Sequence, residues 1–289
     1  KQVLYSKILS LVLKEVHFQY QIRSRMKHVT ENKKTSLFIV LAGIFITNAL
    51  LAELIGVKIF SIEKTFNIEP AQLSLFTDFK LDFNLTAGAI IWPIVFISTD
   101  IINEYFGKKG VQKVTYITIG LIAYSFFVLY LSTHISPSDY WLNINDSDAS
   151  GAPFNIDYAY SRIFSQGQSI IIASLTAFLI GQLLDVYIFH AIRKATGEKW
   201  LWLRATGSTL VSQLVDSFVV LFIAFYLLAG DHKWSIEQLL SIGIINYIYK
   251  FSVALILTPL LYVAHHFIDS YQGKEAAETM IEEANTKEY

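Results

Sequence analysis

Of 289 residues, 53% are hydrophobic, 15% aromatic and 16% charged, and the mean hydropathy is +0.44. That balance is too apolar for an ordinary soluble domain and fits a chain that crosses a lipid bilayer several times. The net charge of -1 says little by itself and points to no nucleic-acid partner, while the lack of cysteine excludes disulfides, thiolate metal ligands and Cys nucleophiles.

Residues 1–35 form a basic segment. Leu4, Ile8, Leu11 and Val12 make a helical stripe flanked by Lys1, Lys7 and Lys14, which reads either as a helix on an anionic membrane surface or as a partly ordered cytoplasmic tail. The apolar run is broken by Lys7 and lacks the small-residue cleavage site of a secretory signal. The first residue is Lys, which leaves room for residues ahead of it. A first span is expected over 36–60, about 37 Å long at 1.5 Å per residue, carrying Asn48 and Glu53. Residues 61–84 are acidic on balance, with Glu63, Glu69, Asp78 and Asp82, and the alternation over 79–85 reads as a short strand or hairpin on the outer face.

The second span, 85–106, holds Trp92-Pro93, where an interior proline is expected to kink or break the helix. It closes on Asp100, Asn103 and Glu104, which share one helix face. After a turn at Gly107, Lys108, Lys109 and Gly110, a third span covers 111–131. The acidic loop 134–164 is long enough to hold structure of its own. The fourth span, 165–189, and the fifth, 205–229, each contain Gln-x-x-Asp: Gln182 with Asp185, and Gln213 with Asp216. The sixth, 236–264, holds Asn246, Lys250 and Pro259. The tail 267–289 is acidic and helix-prone, and is expected to project into water. The organisation is thus a basic N-terminal segment (1–35), a six-helix transmembrane domain (36–266) and an acidic cytoplasmic tail (267–289).

Positive residues set the orientation. Segments 1–35, 106–113, 190–204 and 266–289 carry 8, 3, 4 and 2 Lys and Arg, against 2, 1 and 1 in 61–84, 134–164 and 230–237. Both termini are therefore expected in the cytoplasm, with the hairpin-like segment outside. In that frame Asp100 and Asp185 fall in the inner half, and Asp216 and Lys250 lie at similar depth near mid-membrane on neighbouring spans, an arrangement that allows a pair between them without deciding it.

The polar residues inside the spans make the candidate site. A carboxylate costs about 2.5–3.5 kcal/mol at the centre of a membrane helix, so acids there usually face a cavity or a substrate path. Amides such as Asn103, Gln182 and Gln213 also read as ordinary bonds between helices. Lys250 stands out as the cation deep in a span, and its pairing with Asp216 reads either as structure or as a gate. Trp92 lies within a span beside the expected break, where it could stack on a planar ligand; Tyr105 and Phe106 are further candidates for that face. Trp200 and Trp202 read as an interfacial belt. No His-Glu-x-x-His or Gly-x-Ser-x-Gly occurs, the His residues are scattered apart from adjacent His265 and His266, and no enzyme, metal or cofactor is implied.

The run Trp92-Pro93-Ile-Val-Phe-Ile-Ser-Thr-Asp100-Ile-Ile-Asn-Glu104-Tyr-Phe-Gly107 resembles the signature of the putative vitamin uptake transporter family. The resemblance extends to Gly181-Gln-Leu-Leu-Asp185, to Trp202-Leu-Arg204 with Ser208-Thr and Gln213-Leu-Val-Asp216, and to Tyr249-Lys250 with Thr258-Pro259. It implies a six-helix protein of the bacterial inner membrane that imports 7-deazaguanines, such as 7-cyano-7-deazaguanine or its aminomethyl relative, for the tRNA base queuosine. Chemistry agrees: a carboxylate can accept the ring N–H and exocyclic amine of such a base together, and its carbonyl needs a donor such as Gln, Asn or Lys.

The expected substrate-binding residues are Asp100, Asn103, Glu104, Gln182, Asp185, Gln213, Asp216, Lys250 and Trp92, with Asp100 the deeper acid and Glu104 readable as a clasp between helices. A carrier of another planar vitamin or nucleobase, and a binding or scaffold subunit that does not transport, stay open as alternatives. So does a homo-oligomer, since Ala42-Gly43 and Ala87-Gly88-Ala89 allow close helix contact.

Overall fold

The computed structural model describes residues 29, 31–75, 80–165, 168–197 and 199–286. The basic stripe near the N-terminus, Asp78 and Phe79 lie outside the described residues. In chain order the elements are α1 (Glu31–Ile55), β1 (Ile59–Ser61), α2 (Ile62–Phe66), β2 (Asn84–Thr86), a 3-10 turn (Ala87–Ile90), α3 (Trp92–His134), α4 (Asp139–Asn143), α5 (Ile156–Phe164), α6 (Gln168–Thr196), α7 (Leu201–Phe222) running into a π turn (Ile223–Leu227), a 3-10 turn (Gly230–His232), α8 (Ile236–Gln272) and α9 (Lys274–Thr286). Among the described residues α1, α3, α6, α7 and α8 are long and apolar enough to cross a membrane. Their outward faces carry large apolar side chains, such as Ile39, Tyr124, Ile256 and Phe267, as lipid as solvent requires.

The two spans expected at 85–106 and 111–131 are one element, α3, broken at Gly107. This residue is non-helical, with φ 67° and ψ -174°, a left-handed conformation that glycine adopts without penalty. The chain turns back there. A Cβ built on Gly110 would lie 3.4 Å from Cγ2 of Ile102, eight residues earlier, whereas eight residues of straight helix rise about 12 Å. The arms before and after Gly107 therefore pack on each other, and Ile102, Val111 and Val114 are buried in one core with Phe45, Phe178 and Phe189.

The expected kink at Trp92-Pro93 is corrected. Pro93 sits in the first turn of α3, where its missing N–H has no intrahelical partner to lose, so the proline opens the helix and glycine breaks it. Pro259 lies inside α8, which continues through it.

Between α1 and α3 a hairpin is present, but its strands fall at 59–61, expected as the end of the first span, and at 84–86, at the far edge of the expected 79–85. β1 and β2 pair antiparallel, Ile59 opposite Thr86, and Leu73 bridges Leu81. Its anchor is Glu63, whose carboxylate accepts the Phe83 N–H at 2.7 Å and the Ser61 hydroxyl at 2.9 Å. The Ala87-Gly88-Ala89 run is used inside the chain: a Cβ on Gly88 would fall 2.3 Å from the carbonyl oxygen of Ala52 in α1. The loop 134–164 holds α4 and α5, and the hydroxyls of Ser132 and Tyr160 meet at 2.5 Å to tie α5 to α3.

The acidic tail does not project into water. α9 docks on α3, burying Ala277, Met280 and Ala284, and Lys34 of α1 reaches Glu283 at 2.6 Å. Ala277, Met280, Ile281 and Ala284 recur at three- and four-residue spacing, an apolar stripe that the acidic average conceals.

Candidate functional site

Four residues on one face of α3 order the polar interior: Trp92, Phe96, Asp100 and Glu104, each four after the last and so stacked along the helix. α7 supplies a matching ladder of Arg204, Ser208, Ser212 and Asp216, and it runs the opposite way. The two ladders, with α6 between them, divide the interior into three levels.

The level nearest Gly107 is an ion cluster. Arg204 grips Glu104 with two nitrogens, Nη2 to Oε1 at 2.6 Å and Nε to Oε2 at 3.1 Å. Arg193 of α6 adds Nη1 to Oε2 at 3.3 Å. All three side chains are buried. The planar guanidinium matches the carboxylate in a two-pronged contact that a lysine could not form. The next two residues of α3 are also engaged: Tyr105 donates to Asp269 at 2.7 Å and sits 2.8 Å from Nδ1 of His265, both on α8, and Phe106 packs on Phe38 of α1 with ring centres 5.0 Å apart. Glu104 is thus the clasp that its position allowed. Tyr105 and Phe106 are bound up in helix contacts and do not face the cleft above.

At the middle level, Asp100 of α3 and Asp185 of α6 are buried within electrostatic range of each other. Asp185 accepts the Ser212 hydroxyl at 3.2 Å, and Ser208 and Thr209 face it as well. For Asp100 Oδ1 there is no hydrogen-bond partner among the described residues. Asn103, fully buried, likewise has neither end of its amide matched among them. Such groups are costly unless something satisfies them.

The third level is a cleft lined by Trp92, Phe178, Gln182, Gln213, Asp216 and Lys250, together with Phe96 and Gly181. Lys250 Nζ meets Asp216 Oδ2 at 2.5 Å, so the pair that depth left open is formed. Gln182 accepts the Thr99 hydroxyl at 3.2 Å, and Gln213 has an unmatched buried carbonyl among the described residues. Trp92 lies nearly parallel to Phe96, 6.1 Å between centres at 15°, and tilted on Phe178 at 5.5 Å. Five of the nine expected residues therefore share one cleft, Asp100 and Asp185 lie beneath it, and Glu104 is removed to the clasp. Asn103 joins none of these contacts. Asn246 is half-buried on α8.

Sequence reasoning missed Arg193 and Arg204 as partners because both fell into a segment counted as loop. The four-residue spacing of Arg204, Ser208, Ser212 and Asp216 was the available signal. Phe96 and Phe178 carried none, since apolar aromatics in a span are ordinary. Among the described residues no three His, Cys, Asp or Glu side chains gather so as to hold a metal ion.

The chain has relatives of similar sequence. A probable queuosine precursor transporter of Bacillus subtilis (strain 168) is 33% identical over 189 residues, 64% of this chain and 75% of its own. The queuosine precursor transporter of Escherichia coli (strain K12) is 25% identical over 182 residues, 63% of this chain and 73% of its own. A probable queuosine precursor transporter of Haemophilus influenzae is 26% identical over 175 residues, 61% and 66% of the two chains. No solved structure matches. The family pattern of the putative vitamin uptake transporters matches residues 86–264, more than half of the sequence and all nine expected site residues, and the chain belongs to that family.

Proposed function

We propose that the protein carries a queuosine precursor of the 7-deazaguanine class across the bacterial inner membrane into the cytoplasm. The observation that carries this reading is the cleft at Trp92. An aromatic face, two amides and an ion pair meet there, above a buried carboxylate with an oxygen unmatched among the described residues. A flat base with N–H donors on one edge and a carbonyl beside them answers those groups, and a site with polar atoms left unpaired discriminates strongly against rings that lack them. The relatives in three bacteria are named for a queuosine precursor, which supports the coarser part of this reading.

In this reading α3 crosses twice, its arms turning at Gly107 on the cytoplasmic side, and the chain makes six crossings with both termini inside. The distribution of Lys and Arg supports that orientation, because Lys34, Lys108, Lys109, Arg193 and Arg204 all belong to the same end as the docked α9. Asp100, Asp185, Gln182, Gln213, Asp216, Lys250 and Trp92 form the substrate path, and Glu104 holds its helices.

The test uses cells that cannot make the precursor and are given it in the medium, with queuosine in tRNA as the readout. The wild-type chain should restore the modification. Asp100→Ala, Asp185→Ala or Asp216→Ala should abolish it at matched membrane levels; normal modification in all three would remove these acids from the site.

A further inference from the structure

Phe96 belongs to two clefts. It lines the one at Trp92, Gln182, Gln213, Asp216 and Lys250, of about 20 Å³. It also lines a second, of about 30 Å³, with Asp100, Thr206, Thr209 and Thr258. Each has room for only a water or two. We propose that the Phe96 ring is the partition of a single two-ended binding site, and that a planar ligand seats across it, one edge at Asp100 and the other at Gln213, when the ring turns aside.

Phe96 stands one turn from Trp92 and one turn from Asp100 on the same helix face, so it is the side chain at the boundary between the aromatic end and the acidic end. Its ring is half-buried and makes no hydrogen bond, so turning it breaks only packing contacts, whereas the Lys250–Asp216 pair alongside is held by charge. Asp100 and Gln213, each with a buried oxygen unmatched among the described residues, line one cleft each. Thr206 and Thr258 hydroxyls, 2.9 Å apart across α7 and α8, close the acidic end with groups that can donate or accept.

The two ends make different demands. The carboxylate of Asp100 calls for N–H donors, while the Gln213 amide can turn to give or to receive. The ligand is therefore a flat ring with a fixed donor edge at Asp100 and a less constrained polar edge at Gln213. Once displaced, Phe96 and Trp92 offer the two ring faces between which such a ligand can stack. This rests on the reading of the chain as a carrier of a flat heterocycle, and it adds a residue that positions and selects.

The experiment measures uptake of labelled 7-cyano-7-deazaguanine by the full chain reconstituted in liposomes, as KM and maximal rate separately. Phe96→Leu keeps bulk but no ring, and Phe96→Tyr keeps the ring. KM should rise about tenfold in Phe96→Leu and in Phe96→Ala, as expected for the loss of a stacking face, and stay within about twofold in Phe96→Tyr. If Phe96→Ala does not fold, the Leu and Tyr variants decide. Equal KM values in those two, or wild-type KM in all variants, would overturn the proposal. A substrate analogue methylated on its donor edge should lose uptake in the wild type, and undiminished uptake counts against the assignment of that edge to Asp100. Failure of the wild-type protein to take up the unmodified label would strike at the substrate reading itself, a result distinct from any pattern among the Phe96 variants.

Discussion

Glu104 and Asp100 lie one helical turn apart on the same face of α3, both buried, and their surroundings could hardly differ more. Glu104 meets two arginines through three contacts, and the residues after it tie α3 to α8 and to α1. Asp100 faces a second carboxylate across the helix interface and keeps an oxygen without a partner among the described residues. The lesson is that burial of an acid in a membrane span does not by itself mark a ligand site. What separates structure from function is whether the protein has already met the group's hydrogen-bonding capacity.

The contrast can be broken most forcefully at the clasp. Glu104→Ala removes the carboxylate that two buried guanidinium groups share and should cost about 3–5 kcal/mol of stability, read by unfolding of the purified protein in detergent. Asp100→Asn, which removes no ion pair, should change that stability by less than about 1 kcal/mol while uptake is lost. Equal destabilisation by the two substitutions would erase the distinction between them.

A smaller effect is expected at Lys250 and Asp216, whose side chains are 19% and 21% exposed and so lie between the two extremes. Asp216→Asn and Lys250→Met should each destabilise, and the double variant should recover part of the loss, with a coupling energy of about 1 kcal/mol in a double-mutant cycle. Uptake should not recover with it, because both side chains line the cleft. Additive stabilities would mean that the pair contributes nothing as a pair.

The smallest effect lies outside both regions, in the loop between α4 and α5. There the Ser150 hydroxyl and the N–H groups of Ala152 and Ser150 donate to Asp148 and hold its carboxyl below the usual carboxylate range. A depressed value in the folded loop means that the contribution is fully present above the unfolded carboxylate value of about 4 and is lost as pH falls through the folded one. Hydrogen-exchange protection of the Ala152 N–H should therefore be flat from about pH 8 to pH 5 and decline only in stronger acid. A decline already near neutrality would show that another group controls the loop.

Much of the architecture could be read from the sequence because lipid imposes simple demands: long apolar runs, helical backbones and few buried charges. Similar depth on neighbouring spans made a Lys250–Asp216 pair possible, and opposite charges attract strongly in a weakly polarisable interior, but only the packing of α7 on α8 decided that they meet. Trp92, Gln182 and Gln213 were readable as polar or aromatic residues in places where lipid contact does not explain them. Arg204 was not, because a residue near a helix end can turn inward or outward, and only the position of Glu104 decides which. The proline of α3 misled in a similar way. Its local effect depends on whether it falls in the first turn or deeper, and that boundary is set by the hairpin packed against α1. The tail was misjudged through its average charge, which hid a four-residue apolar stripe.

By itself, the sequence determined that this chain lives in a membrane, where its helical runs lie, and which polar residues they carry, because hydropathy and helical spacing are local properties of the chain. Only the tertiary structure decided which of those residues are already satisfied. Glu104 found two arginines more than 80 residues away, Tyr105 found His265 and Asp269, and Asp100 and Gln213 kept atoms unmatched among the described residues. Satisfaction of a buried polar group is a property of the partners that folding brings to it, and those partners come from helices distant in the chain.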